Sequence, residues 1–148
     1  MLMPDVNILV YAHRSKILGH GQYLDWFEKM TAGPAPFALS SLVAIGFIRV
    51  VTNSALTEGK PSPLPVVQAI IDNLIALPTC RVIEPGVGHL ALTLELIRKT
   101  NSRAKLAADA QHAAVAIAHG CTWVTRDSDF ARFVPHGLTW HHLVFDRT

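Results

Sequence analysis

What most constrains this chain is an alternation of period. Short apolar runs at residues 37–39, 81–83 and 121–125 are interleaved with stretches at 42–51, 90–97 and 113–118 in which apolar side chains recur every three to four positions. The first pattern is that of a buried strand and the second that of a helix with one apolar face, so the order reads strand, helix, strand, helix. Residues 64–77 give the clearest helix: Val66, Val67, Ile70, Ile71, Leu74, Ile75 and Leu77 form one stripe that Pro78 ends. Such an order builds a parallel sheet with helices on both faces, and sheets of that kind bind ligands beyond the carboxyl ends of their strands. The breaks at Gly33-Pro34-Ala35-Pro36, Gly59-Lys60-Pro61-Ser62-Pro63 and Glu84-Pro85-Gly86 are local, and nothing repeats. For 148 residues the expectation is one α/β domain over residues 1–148.

Several function classes fall away. No apolar run approaches the roughly 18 to 20 residues of a membrane span, and the opening stretch holds Asp5 and Asn7 but no basic leader, so a cytoplasmic protein with no membrane partner is expected. Cys80 and Cys121 lie in no Cys-x-x-Cys pair and near no histidine at zinc spacing, which makes both core thiols. The net charge of +2 is too small to announce a nucleic-acid binder. Locally, however, Arg98, Lys99, Arg103 and Lys105 gather just before Asp109, as a solvated helix end or as an RNA contact. Arg49 stands alone on an otherwise apolar helix, where an ion pair and a place near the active site are both open readings.

Four of the eleven acidic residues sit where an apolar element meets a turn: Asp5, Asp109, Asp127 and Asp129. Asp5 follows a first strand and suits a helix N-cap, a site residue, or both. Asp109 is expected to precede an almost wholly apolar helix, at a buried face where a lone carboxylate needs compensation. Asp127 and Asp129 follow the strand at 121–125; Asp127 is expected to face the crevice and Asp129 to cap the turn around Phe130. Carboxylates drawn to ~4 Å repel by roughly 4 kcal/mol per pair at an effective dielectric of 20, so such a cluster is kept only for protons or cations. An all-oxygen set suits Mg²⁺ or Mn²⁺, and the chemistry that follows is phosphodiester hydrolysis by activated water, with no cysteine or serine nucleophile. The eight histidines show no metal-binding spacing; His112, three positions after Asp109, is the one on the same helical side. A phosphatase of the haloacid dehalogenase type would need a second acid where Asn7 stands.

Four segments, in order and spread over nearly the whole chain, resemble the VapC toxins of bacterial type II toxin-antitoxin pairs, a family of PIN-domain ribonucleases. They are Asp5-Val6-Asn7-Ile8-Leu9-Val10-Tyr11-Ala12-His13, Gly46-Phe47-Ile48-Arg49-Val50-Val51-Thr52-Asn53, Asp109-Ala110-Gln111-His112-Ala113-Ala114-Val115-Ala116 and Thr125-Arg126-Asp127-Ser128-Asp129-Phe130. The resemblance implies a PIN-like three-layer α/β/α sandwich around a mainly parallel twisted sheet, and an endoribonuclease that uses Mg²⁺ or Mn²⁺. It also implies a homodimer or larger toxin-antitoxin assembly, and a cognate VapB-type antitoxin. It places Asp5, Asp109 and Asp127 at the catalytic metal site, Asp129 as a further metal ligand, and Asn7, Ser41 and Thr125 as residues that shape it. One departure stands out. The family usually carries another acid near the Ser41 position or at the Gly46 position, and this chain has no Asp or Glu between Glu28 and Glu58. Ser41 brings a hydroxyl without charge, so weaker cation binding and reduced rather than abolished cutting are expected; the alternative is a weakened PIN-like domain that binds RNA or antitoxin. Specificity for single-stranded loops would come from surface loops such as 18–21 and 57–65.

Overall fold

The computed structural model describes residues 1–145. Its five strands are β1 (Leu2–Pro4), β2 (Phe37–Ser40), β3 (Cys80–Ile83), β4 (Thr122–Thr125) and β5 (Thr139–His142). They form one sheet in the order β3-β2-β1-β4-β5, every pairing parallel. The first strand in sequence is thus the middle one, and the chain winds outward from it on both sides. The crevice at such a reversal, beyond the carboxyl ends of β1 and its neighbours, is where a doubly wound sheet places a ligand. β2 and the inner part of β4 are buried on both faces, which is why they read as unbroken apolar runs rather than as an alternation.

Six helices flank the sheet: α1 (Val6–His13), α2 (His20–Ala32), α3 (Ser41–Val51), α4 (Leu64–Ala76), α5 (His89–Thr100) and α6 (Lys105–Ala118). α1 packs on α2 and α3, α3 on α4, and α5 on α6, giving the three-layer α/β/α arrangement. The core centres on Trp123 of β4, whose ring lies 5.3 Å from both His112 and Phe130. Phe27 packs against this main core and Trp26 against a smaller cluster of Ile8, Tyr23, Val124 and Leu143, while Trp140 sits on the edge strand β5. Cys121 is buried and Cys80 half-buried, both as free thiols. Among the described residues no helix is long and apolar enough to cross a membrane.

One sequence expectation is corrected. α6 begins at Lys105, so Asp109 lies inside the helix, one turn from its start, and does not precede it. The apolar period begins only at Ala110 because the first turn has one face toward solvent; Lys105 and Ala108 are exposed. Ahead of this turn Ala104 adopts φ 51 and ψ −126, a region that costs an alanine energy and that the packing around α6 must impose.

Candidate metal centre

The centre is built at the ends of β1 and β4. Asp5 follows β1 and caps α1: its Oδ1 accepts from the Val6 amide at 2.6 Å. Its Oδ2 accepts from the Thr125 hydroxyl at 2.7 Å and from the Asn7 amide at 3.2 Å. Thr125, the last residue of β4, is fully buried, and its Oγ1 also accepts from the Asp127 backbone N–H at 3.0 Å and from Asn7 Nδ2 at 3.2 Å. That one hydroxyl therefore fixes Asp5 and the loop bearing Asp127 together, with donor and both acceptor positions filled. Asn7 completes the bracket by accepting from the Arg126 N–H at 3.3 Å. The side chain at the position where a dehalogenase-type phosphatase would need its second acid is thus an amide bound into this bracket.

Asp109, Asp127 and Asp129 each offer a carboxylate oxygen within 4.8 Å of the others. Asp5 lines the same crevice outside that tight group, drawn back by Thr125 and the cap of α1. The expected division of labour after β4 is also revised. Asp127, not Asp129, is the cap: its Oδ1 accepts from the Asp129 N–H at 2.9 Å, ahead of the 3-10 helix Ser128–His136. A cap must precede the first helical residue and reach an amide two positions on, which only Asp127 does in this register.

The crevice has a volume of about 810 Å³, and Ser41, Gly46, Arg49 and Lys105 line it together with Asp5, Asp109 and Asp127; Asp129 lies outside this lining. Of the five basic candidates, only Arg49 and Lys105 line the crevice. Arg98 and Lys99 end α5, where Lys99 pairs with Glu95 at 2.8 Å, and Arg103 reaches back to Asn101 at 3.4 Å. The left-handed turn at Asn101 (φ 51) separates a run that is continuous in sequence. Gly46 is tight: a Cβ there would meet Val6 Cγ2 at 2.8 Å, where α3 crosses the start of α1, so a side chain at this position requires Val6 to shift. An additional acid at Ser41 would face the crevice directly, whereas one at Gly46 would first have to displace Val6.

Burial pushes the Asp5 carboxyl up to about 6, against the pull of its hydrogen bonds and with help from the charges of Asp109 and Asp127. Burial also raises Asp109 and outweighs its bond to Lys105. Asp127 moves the other way: burial opposes its charge, but Lys105 and the Asp129 amide hold it below the usual range. Lys105 Nζ lies 3.0 Å from Asp109 Oδ2 and 2.6 Å from Asp127 Oδ2, and those bonds keep it charged despite its burial cost. The place thus already accepts a positive group, the donors are all oxygen, and negative charge remains beyond what one ammonium balances. These residues fit a divalent cation.

The raised Asp5 pKa has a signed consequence. The folded protein holds a proton that the unfolded chain loses near 3.8, so Asp5's share of stability is complete below that pH and is lost as pH rises through about 6. The loss is on the order of 3 kcal/mol at about 1.36 kcal/mol per unit. His112 acts oppositely: burial lowers it to about 4, so its penalty appears as pH falls below 6.5. A carbon-detected NMR titration is expected to place the Asp5 midpoint near 6 in metal-free protein and to move it down when Mg²⁺ is added; a midpoint near 4 without Mg²⁺ would contradict the burial account.

Two features were not foreseen from sequence. The Arg126 guanidinium lies 3.8 Å over the Tyr11 ring and its Nε donates to Tyr23 Oη at 2.8 Å, anchoring the loop that carries Asp127 to α1 and α2. His112 stacks on Trp123 at the crevice wall and stays neutral near pH 7.

Residues 2–134 match the PIN domain family model. Ribonuclease VapC43 of Mycobacterium tuberculosis is 37% identical over 148 residues, covering 100% of this chain and 99% of its own. Ribonuclease VapC25 of the same organism is 35% identical over 133 residues, 90% of this chain and 93% of its own. Among solved structures, VapBC2 from Rickettsia felis bound to a promoter DNA fragment has a TM-score of 0.65 at 22% identity, covering 95% of this chain and 96% of that one. VapC20 of M. tuberculosis, described as a sarcin-ricin loop cleaving toxin, has a TM-score of 0.65 at 11% identity over 94% of this chain and 98% of its own. The two structures share the fold, the two relatives match over at least 90% of both chains, and the chain belongs to the PIN-domain family as a protein of the VapC type.

Proposed function

We propose that the chain acts as a single PIN domain, the toxin of a type II toxin-antitoxin module, and hydrolyses RNA phosphodiester bonds with Mg²⁺ or Mn²⁺ held by Asp5, Asp109, Asp127 and Asp129. The observation that carries this reading is the meeting of Asp109, Asp127 and Asp129 within 4.8 Å at the edge of an open crevice that Asp5, Asp109 and Asp127 line. When bound, the cation supplies Lewis acidity, activating water and offsetting charge that grows on the phosphate oxygens. The chain's own residues do the rest. Thr125 and Asn7 hold Asp5 in place, and Thr125 fixes the backbone of Asp127. Arg49, exposed on the crevice wall, attracts the RNA backbone. His112, kept neutral near pH 7 by burial, is not a cationic proton donor there.

RNA as substrate is supported by the ribonuclease relatives, and a VapB-type antitoxin partner by the toxin-antitoxin complexes that share the fold. An apolar groove of about 360 Å³, lined by Leu9, Phe27, Phe47, Ile70 and Leu74, is surface of the kind a partner helix covers. The cytoplasm and a homodimer complete the reading. A second reading, a domain that binds RNA or antitoxin with little cutting, is favoured by the uncharged Ser41 in the crevice. Incubating labelled single-stranded RNA with chelator, Mg²⁺ or Mn²⁺ separates them. Cleavage that needs the cation supports the nuclease, and none under any cation transfers the function to binding.

Ser41→Glu is expected to tighten Mn²⁺ binding by about tenfold, since one more carboxylate would face the acids across the crevice. Calorimetric titration of both proteins measures it, and equal affinities would remove position 41 from the metal site.

A further inference from the structure

Lys105 opens α6 and Asp109 follows one turn later, while Asp127 comes from the loop after β4. The Lys105 ammonium touches Asp109 Oδ2 at 3.0 Å and Asp127 Oδ2 at 2.6 Å, so one side chain ties two separate elements across the crevice. Asp127 and Asp109 each have a carboxylate oxygen committed to that ammonium, and a divalent cation needs negative oxygens from the same pair. Ammonium and cation at van der Waals separation would also repel each other strongly in a partly dehydrated crevice. Yet the Lys105 side chain is 65% exposed, so it can swing into water without breaking any packing. Ala104, held at φ 51 and ψ −126 directly before it, fixes the direction in which this first turn points. Lys105 thus pairs with two of the three aspartates that line the crevice.

We propose that Lys105 is a built-in counter-ion for the acidic site: it holds Asp109 and Asp127 together while no divalent cation is present and must be expelled from both carboxylates when one binds. The proposal rests on the reading of these acids as a metal site. Its consequence is a metal affinity set lower than the acids alone would give. Because one event removes the ammonium from the acids and frees it at the crevice mouth, the crevice changes from net negative toward positive as the cation enters. Cation binding is thereby coupled to attraction of a polyanion, and the coupling is reciprocal.

The test is Mn²⁺ titration by calorimetry, with thermal melting alongside, of the full chain and three variants. Lys105→Met removes the ammonium, Lys105→Arg keeps the charge, and Lys29→Met removes an equal charge from α2, where Lys29 pairs with Asp25. Two partly exposed ion pairs together correspond to about a tenfold change in binding. Lys105→Met should therefore bind Mn²⁺ about tenfold more tightly, melt lower than wild type without metal, and gain more in melting temperature on Mn²⁺ addition. Lys105→Arg and Lys29→Met should stay close to wild type. Equal or weaker Mn²⁺ binding by a folded Lys105→Met would overturn the counter-ion role while leaving the metal site standing. If no protein in the set bound Mn²⁺, the metal reading itself would fail and the proposal with it.

Discussion

Asp109→Asn is expected to lower RNA cleavage by about 10²- to 10³-fold and to leave the protein folded. The two halves of this expectation have one cause. Asp109 is nearly buried on the inner side of α6, and its burial already raises its pKa. An amide of the same shape removes the charge that a cation needs, and it also removes the desolvation cost that the folded state carries without one. The melting temperature of metal-free protein should therefore hold or rise. Cleavage of a labelled RNA in Mn²⁺, together with a melting curve, measures both. An activity loss accompanied by a large drop in melting temperature would assign Asp109 to folding instead. Asp129, exposed and reached only at the edge of the group, should matter less on substitution by Asn.

The largest stability effect is expected at Trp123, whose replacement by Ala should cost about 3–5 kcal/mol. That corresponds to a fall of roughly 10–20 °C in melting temperature for a chain of this size. Trp123 is fully buried in the middle of β4 and contacts both His112 and Phe130. β4 carries Thr125 at its end, so the cavity also loosens the strand that positions the acids. A second readout is specific to this packing. With the indole gone, water reaches His112, and its pKa should climb from about 4 toward the ordinary histidine value. Denaturant unfolding gives the first quantity and an imidazole NMR titration the second. A stability loss below about 1 kcal/mol would contradict the packing account.

The residue periods revealed much of this architecture because helices and strands here bury one stripe or two faces, and burial writes itself into sequence as apolar spacing. The helix over 64–77 and the strand over 121–125 are read almost to the residue for that reason. The start of α6 is not, since its first turn has a solvent side with no apolar signal. The acids were legible as a set because a carboxylate beside an apolar element is costly and conspicuous. Their division of labour was not. Asp127 and Asp129 differ by two positions, and which one caps depends on the register of the 3-10 turn, a property of backbone geometry. The bracket of Thr125 with Asp5, 120 positions earlier, and the stacking of Arg126 on Tyr11 join residues far apart in the chain. No local pattern encodes such pairs. The basic group at 98–105 is divided by backbone geometry that its spacing does not show: the left-handed residue Asn101 parts Arg98 and Lys99 from Lys105, which lines the crevice.

The most direct test of the central claim is a crystal of the protein soaked in Mn²⁺ and measured at the manganese absorption edge. An anomalous peak is predicted between Asp109 and Asp127, with Asp129 and Asp5 alongside and the Lys105 ammonium withdrawn from both carboxylates. A protein that cleaves RNA while its manganese peak lies elsewhere, or while these acids remain bound only to Lys105, would contradict it.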